Sequence, residues 1–152
     1  MEDKSHKTAI YRAKPSNPTK YLANSGLINY PALDYGSGHG KDADVYNLDK
    51  YDPHYYPQKP QKEYKTVVCN YVLNVLDKDK APEVFKGIKD VLTNDGIAYI
   101  TVRRDIKEPI KTKIGTLQRP VYLGLKTVKK TKDFEMYSMT KEDEPEEVDN
   151  GD

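Results

Sequence analysis

Apolar residues along this chain fall into short blocks whose spacing switches between strand and helix. PTKYLANSGLI, from Pro18, reads as a short helix, with Asn17 as its cap, Pro18 in its first turn and Gly26 as its stop. Tyr30 to Tyr35 reads as a strand running into glycines. Lys41 to Leu48 reads as a short helix and Lys50 to Asp52 as a very short strand. Residues 53–63, PHYYPQKPQKE, hold three prolines, which break helices and cannot donate inside a sheet, so they read as a loop. Tyr64 to Leu76 is the most apolar run and predicts a strand buried on both faces. Val84, Phe85, Ile88, Val91 and Leu92 recur at helical spacing over Ala81 to Leu92. Asn94 to Gly96 reads as a turn, and Ile97 to Val102 as a buried strand. Val121 to Val128 and Phe134 to Met139 predict two more strands, an antiparallel finish to the sheet.

Strands alternating with helices, and buried on both faces, predict an α/β domain with a mostly parallel sheet. In such sheets ligands sit at the carboxyl ends of the strands. The division expected is an N-terminal arm over 1–17, one domain over 18–140, and a disordered acidic tail over 141–152. The length of 152 residues suits one domain.

Composition adjusts this picture in a few places. Mean hydropathy is −0.87, and no apolar run approaches the ~20 residues that cross a membrane. The start, MEDKSHKTAIYR, has no apolar core of a secretory signal, so the expected location is cytoplasmic. One cysteine, Cys69, rules out an intrachain disulfide, and with three histidines it does not suit a zinc cluster; no metal is expected. The net charge of +1 hides an asymmetry, because the tail from Lys141 holds seven acidic residues and one lysine. Without it the body has 24 basic and 17 acidic residues, a formal +7. That excess suits nucleic acid as a partner, although a lysine-rich solvated surface gives the same count.

The chemistry concentrates in Asp34-Tyr35-Gly36-Ser37-Gly38-His39-Gly40. Glycines between a strand and a helix permit a tight turn with positive φ and expose backbone N–H groups to a ligand. A phosphate-binding P-loop would need glycine where Tyr35 stands, and Ser or Thr where Asp42 follows Lys41. A dinucleotide fingerprint would put its third glycine at Lys41. What remains is an acidic residue followed by x-G-x-G-x-G.

This pattern resembles motif I of class I S-adenosylmethionine (SAM)-dependent methyltransferases. The segments TAIYRAKPSNP, LDYGSGHGKD, YDPHYYP, CNYVLNVL, AYITVRRD and GTLQRPVYLGL are similar to putative methyltransferases associated with DNA phosphorothioation, and to related phage and bacterial proteins. That family's loop usually carries Cys where Ser37 stands and often Arg where His39 stands. The resemblance implies a small Rossmann-like three-layer sandwich, a reduced class I methyltransferase fold whose third strand and helix are replaced by the proline loop. It implies SAM as the cofactor. The cofactor contacts implied are Asp34, Tyr35, Gly36, Ser37, Gly38, Gly40, Asp52, Pro53, Asn70, Tyr71 and Val72. Asp34 would orient the loop, and Asp52, after the second strand, would take the ribose hydroxyls, since a carboxylate accepts two hydrogen bonds.

Methyl transfer from a sulfonium is an in-line displacement, so the protein mainly positions its reactants. Asn70, ending the third strand in Asn70-Tyr71-Val72-Leu73, is the candidate polar active-site residue. The [DN]-P-P-[YF] of many amino-methyltransferases is absent there. Arg104 is the second catalytic candidate, because its fork could hold a phosphate or carboxylate. Gln118 and Arg119, after a loop containing Gly115, are expected at the same mouth. His39, His54, Tyr55 and Tyr56 flank the loop. Cys69 reads as an inert core residue. The expected function is a SAM-dependent methyltransferase with an unknown acceptor, nucleic acid slightly favoured. The alternatives are a non-catalytic SAM-binding protein, a subunit completed by a partner chain, or a nucleic-acid-binding accessory that has lost its ligand.

Overall fold

A computed structural model describes residues 13–111 and 117–149. Residues 1–12 of the expected arm, Gly115 and the last three residues lie outside the described residues. The elements are α1 (Asn17–Asn24), β1 (Ala32–Tyr35), α2 (Lys41–Tyr46), β2 (Asp49–Tyr51), β3 (Tyr64–Asn70), α3 (Ala81–Asp90), β4 (Leu92–Arg103), β5 (Ile110–Lys111), β6 (Leu117–Gln118), β7 (Lys126–Lys130) and β8 (Phe134–Met139).

Six strands form one sheet in the order β2-β1-β3-β4-β8-β7, and β5 pairs with β6 apart from it. β1 to β4 pair in parallel. β8 is antiparallel to both β4 and β7, so it is the one reversed strand of the sheet. Side chains alternate between two cores, as strand periodicity requires. Leu33, Val67, Cys69, Ile100 and Val102 pack under α3 through Ala81, Phe85 and Ile88. Ala32, Val68, Tyr99 and Met136 pack with Leu22 of α1 and Ala43 of α2. The result is a three-layer α/β sandwich with a mostly parallel sheet, as the pattern predicts. No helix among the described residues is long and apolar enough to cross a membrane.

The chain leaves β1 toward β2, then returns to place β3 on the other side of β1. Strand order therefore reverses between β1 and β3, where α/β sheets open a crevice at their carboxyl ends.

Several elements differ from their expected form. Ser16 rather than Asn17 precedes α1, and its side chain does not cap the helix. The expected third strand stops at Asn70, because Tyr71 adopts a left-handed φ of 64° and residues 73–75 form a 3-10 turn. The expected turn at Asn94–Gly96 is a bulge inside β4, between the pairs Tyr64↔Leu92 and Thr66↔Ile97. Residues 121–125 are not a strand; Val121 and Leu123 instead bury themselves on the α3 side. The acidic stretch expected to be disordered is docked over 141–149. Glu147 pairs with Arg119 at 2.7 Å, Val148 N–H donates to Tyr122 O, and Lys89 Nζ donates to Asp143 O.

Candidate functional site

One open cleft of about 1390 Å³ lies at the carboxyl ends of β1 to β4. Its floor is the glycine loop. Gly36, Gly38 and Gly40 have φ of 83°, 56° and 87°, in the left-handed region that disfavours side chains. A Cβ on Gly36 would also sit 2.4 Å from Val72 Cγ2. Gly36 N–H and Ser37 N–H both donate to Tyr51 O, at 2.7 and 3.0 Å, tying the loop to the end of β2.

Every residue expected to touch the cofactor lines this cleft: Asp34, Tyr35, Gly36, Ser37, Gly38 and Gly40 from the loop, Asp52 and Pro53 after β2, and Asn70, Tyr71 and Val72 after β3. Asp52 does more there than the sequence indicates. Its Oδ2 accepts from Gly38 N–H at 2.8 Å, and its Oδ1 accepts from His54 and Tyr55 N–H at 2.9 and 3.0 Å. Three of roughly four acceptor positions are thus taken by backbone N–H groups, so Asp52 is first a latch between two loops. His39 and Tyr55 stack with ring centroids 4.5 Å apart, and Tyr55 meets His54 edge-on at 4.6 Å.

Asp34 is buried, and no described side chain or N–H donates to its carboxylate. Burial pushes its pKa well above the ordinary carboxylate value, and the charges of Asp42 and Asp52 push it the same way. Burial likewise raises the Tyr35 hydroxyl, helped by Tyr51 beside it. Three acids therefore share one wall of the cleft, and no salt bridge with a lysine or arginine is formed by Asp34, Asp42 or Asp52 among the described residues.

Asp42 was not singled out by sequence except as a mismatch to a P-loop. It accepts from Ser16 N–H at 2.7 Å, Ser16 Oγ at 2.5 Å and Thr19 Oγ1 at 2.6 Å. Asn70 Nδ2 donates to Thr19 Oγ1 at 2.8 Å. Ser16 falls in the expected N-terminal arm and Thr19 in the first turn of the expected helix, and neither hydroxyl carries a local sign of this role. Two side-chain oxygens of the cleft wall, Ser37 Oγ and Asn70 Oδ1, are buried without a partner among the described residues.

The expectation for Arg104 is corrected. Its side chain is 5% exposed and does not line the cleft. It donates to Glu135 Oε1, Val121 O and the Tyr137 hydroxyl, and stacks on the Tyr122 ring at 4.0 Å. Arg104 continues the parity of Ala98, Ile100 and Val102, whose face of β4 is covered, so its fork is spent on structure. Arg103, on the other face, lines the cleft instead. It donates to both oxygens of Asp105 and, at 2.6 Å, to Gln118 Oε1. Gln118 lies at the mouth as expected, whereas Arg119 turns away to Leu76 O and Glu147. Cys69 is fully buried, and burial raises its thiol pKa.

No family model and no curated protein matches this chain. Among solved structures it is similar to Burkholderia thailandensis 1,6-didemethyltoxoflavin-N1-methyltransferase, bound to 1,6-didemethyltoxoflavin and S-adenosylhomocysteine. The TM-score is 0.61 at 13% identity, over 93% of this chain and 80% of that one. The fold is that of a class I methyltransferase. DhpI, in a complex with SAM and HEP, shares this methyltransferase fold with a TM-score of 0.51 at 10% identity, over 80% of this chain and 85% of its own. Neither is named for DNA phosphorothioation, so that finer resemblance gains nothing from them. The methyltransferase fold is reduced here: β2 ends the sheet, and between it and β3 the proline segment forms no strand beyond the bridge Asp52↔Tyr56.

Proposed function

We propose that this chain is a SAM-dependent methyltransferase whose cofactor lies across the cleft between the glycine loop and the end of β3. The observation that carries this is a wall of three buried acids with no cationic partner among the described residues, flanked by the side-chain oxygens of Ser37 and Asn70, which have no hydrogen-bond partner there. Buried polar groups without partners are costly. A zwitterionic, positively charged ligand would give Ser37 Oγ and Asn70 Oδ1 their partners and the acidic wall a counter-charge.

Bound SAM supplies a methyl group on a sulfonium. In this reading Gly36, Ser37, Gly38 and Gly40 wrap its amino-acid portion, with Ser37 Oγ–H donating to the carboxylate. Asp34, which burial holds protonated in the ligand-free cleft, would ionise beside the ligand's positive charge. Asp52 takes one ribose hydroxyl with its remaining acceptor position. Pro53, Tyr71 and Val72 flank the adenine, and Tyr35 supports the loop from below. Asn70 borders both the cofactor and the acceptor. Displacement at a methyl needs alignment more than acid–base help.

Arg103, Asp105 and Gln118 form the acceptor mouth, joined by Asp133. This rim carries both signs of charge and does not select a polyanion. The neighbour of known ligand holds a small heterocycle. Small molecules therefore come before nucleic acid as acceptors, against the expectation drawn from the +7 body. The unpaired outer edge of β2 favours a second reading, in which a partner chain completes the wall that the proline loop leaves open.

Titration calorimetry with SAM and with S-adenosylhomocysteine tests the proposal. Saturable one-to-one heat is expected from both, and absence of heat from both overturns it. A labelled-methyl screen over small molecules, peptides and nucleic acids then separates an enzyme from a binding subunit.

A further inference from the structure

The network behind Asn70 fixes which way its amide faces. Ser16 Oγ is 2.5 Å from Asp42 Oδ2 and 3.2 Å from Thr19 Oγ1, so its single proton goes to the carboxylate. Thr19 Oγ1 is 2.6 Å from the same oxygen and spends its proton there too. Both hydroxyl oxygens are left as acceptors. Asn70 Nδ2 faces them, at 2.8 Å from Thr19 and 3.4 Å from Ser16, with Asp42 Oδ2 also at 3.4 Å. Reversing the amide would set its oxygen against three acceptors, so hydrogen-bond chemistry alone decides the assignment. Asn70 Oδ1 is consequently the face left over. It belongs to a cleft-lining residue, is buried, and has no hydrogen-bond partner among the described residues.

We infer that Asn70 Oδ1 receives the α-ammonium of the bound cofactor, and that Asp42 and Thr19 are positioning residues that hold the amide oxygen-outward for it. The inference rests on the SAM reading above. An N–H donor is required, because the vacant group is an acceptor. A positive donor is preferred, because Asp34, Asp42 and Asp52 surround the wall. Of the two amino groups on SAM, only the α-amino group is cationic, and it lies on the portion that the glycine loop would hold. Ser37 Oγ and Asn70 Oδ1 then read the two ends of one amino acid, one as donor to the carboxylate and one as acceptor from the ammonium. Asn70 is thereby a ligand-binding residue, while Thr19 and Asp42 act only through it.

The test compares affinities for S-adenosylhomocysteine and for its analogue with hydrogen in place of the α-amino group. The wild-type chain should prefer the amine by about ten- to a hundredfold, the range of a hydrogen bond to a charged group. Asn70→Ala should reduce that preference about tenfold or more through loss on the amine-bearing ligand alone. Thr19→Val, which keeps the shape and removes the hydroxyl, should reduce it in the same direction. Thr19→Ser should retain it. Thermal melts establish that each variant is folded. Failure of the wild type to bind S-adenosylhomocysteine would remove the SAM reading itself. Binding with an undiminished preference in Asn70→Ala would overturn the ammonium contact and leave that reading standing. An effect in Asn70→Ala with none in Thr19→Val would overturn the positioning role. Equal losses on both ligands would point Asn70 elsewhere, to the adenine amino group or the acceptor, and would also overturn the inference.

Discussion

The two halves of this sheet bury charge in opposite ways. On the far side of β4, Arg104 meets Glu135 at 2.8 Å and Arg119 meets Glu147 at 2.7 Å. Each arginine spends further donors on backbone carbonyls. On the near side Asp34, Asp42 and Asp52 crowd one wall with no cationic side chain paired to them among the described residues. A protein can hide charge cheaply only when it is paired or fully hydrogen-bonded. The paired half is complete as it stands. The acidic half makes sense with a cation in it, and that contrast separates structural from ligand-binding charge better than residue type does.

The contrast breaks most visibly where a pair is cut. Arg104→Ala leaves Glu135 buried without its cation, with the Thr127 hydroxyl still bonded to it, and should cost about 3–5 kcal/mol, read by chemical denaturation, while affinity for S-adenosylhomocysteine in the folded fraction stays the same. Gly36→Ala tests the other half. A Cβ at φ 83° and 2.4 Å from Val72 Cγ2 should cost about 2–4 kcal/mol in strain and overpacking. Unlike Arg104→Ala, it should also abolish measurable cofactor affinity. Arg119→Ala should cost about 1–3 kcal/mol by leaving Glu147 unpaired. Its mark should be protease cleavage within 141–149, where the wild type should be cut more slowly.

Asp34 gives a subtler test. Its carboxyl holds its proton in the folded chain above the pH at which the unfolded chain ionises. Both states are protonated at low pH. As pH rises past about 4, the unfolded state gains by ionising and the folded state does not, so stability falls until the folded group also titrates. Asp34→Asn cannot titrate and should escape this decline. The variant should gain on wild type between acid and neutral pH, even as it binds cofactor less well. A constant difference across that range would show that Asp34 is not held protonated.

How far the sequence went depends on how local the chemistry is. The glycine loop was legible because φ and backbone exposure are properties of a few consecutive residues. Asp52 was legible as a strand-end acid, but its latch to Gly38 spans 14 positions and was not. Arg103 and Arg104 were confused although the parity of Ala98, Ile100 and Val102 marks the covered face; what lay over that face, Val121 and Tyr137, was missing. Asp42 was passed over because its partners, Ser16 and Asn70, stand 26 and 28 residues away. The acidic stretch looked disordered by composition, and three contacts, from Arg119, Lys89 and Tyr122, overrode it.

Hydrogen exchange with and without saturating SAM tests the central claim most directly, because it reads both halves of the sheet at once. Strong added protection is expected over 34–42 and 70–72, and none beyond a small uniform gain over 119–123 and 134–147. Protection absent from the glycine loop, or concentrated in the Arg104–Glu135 half, would contradict it.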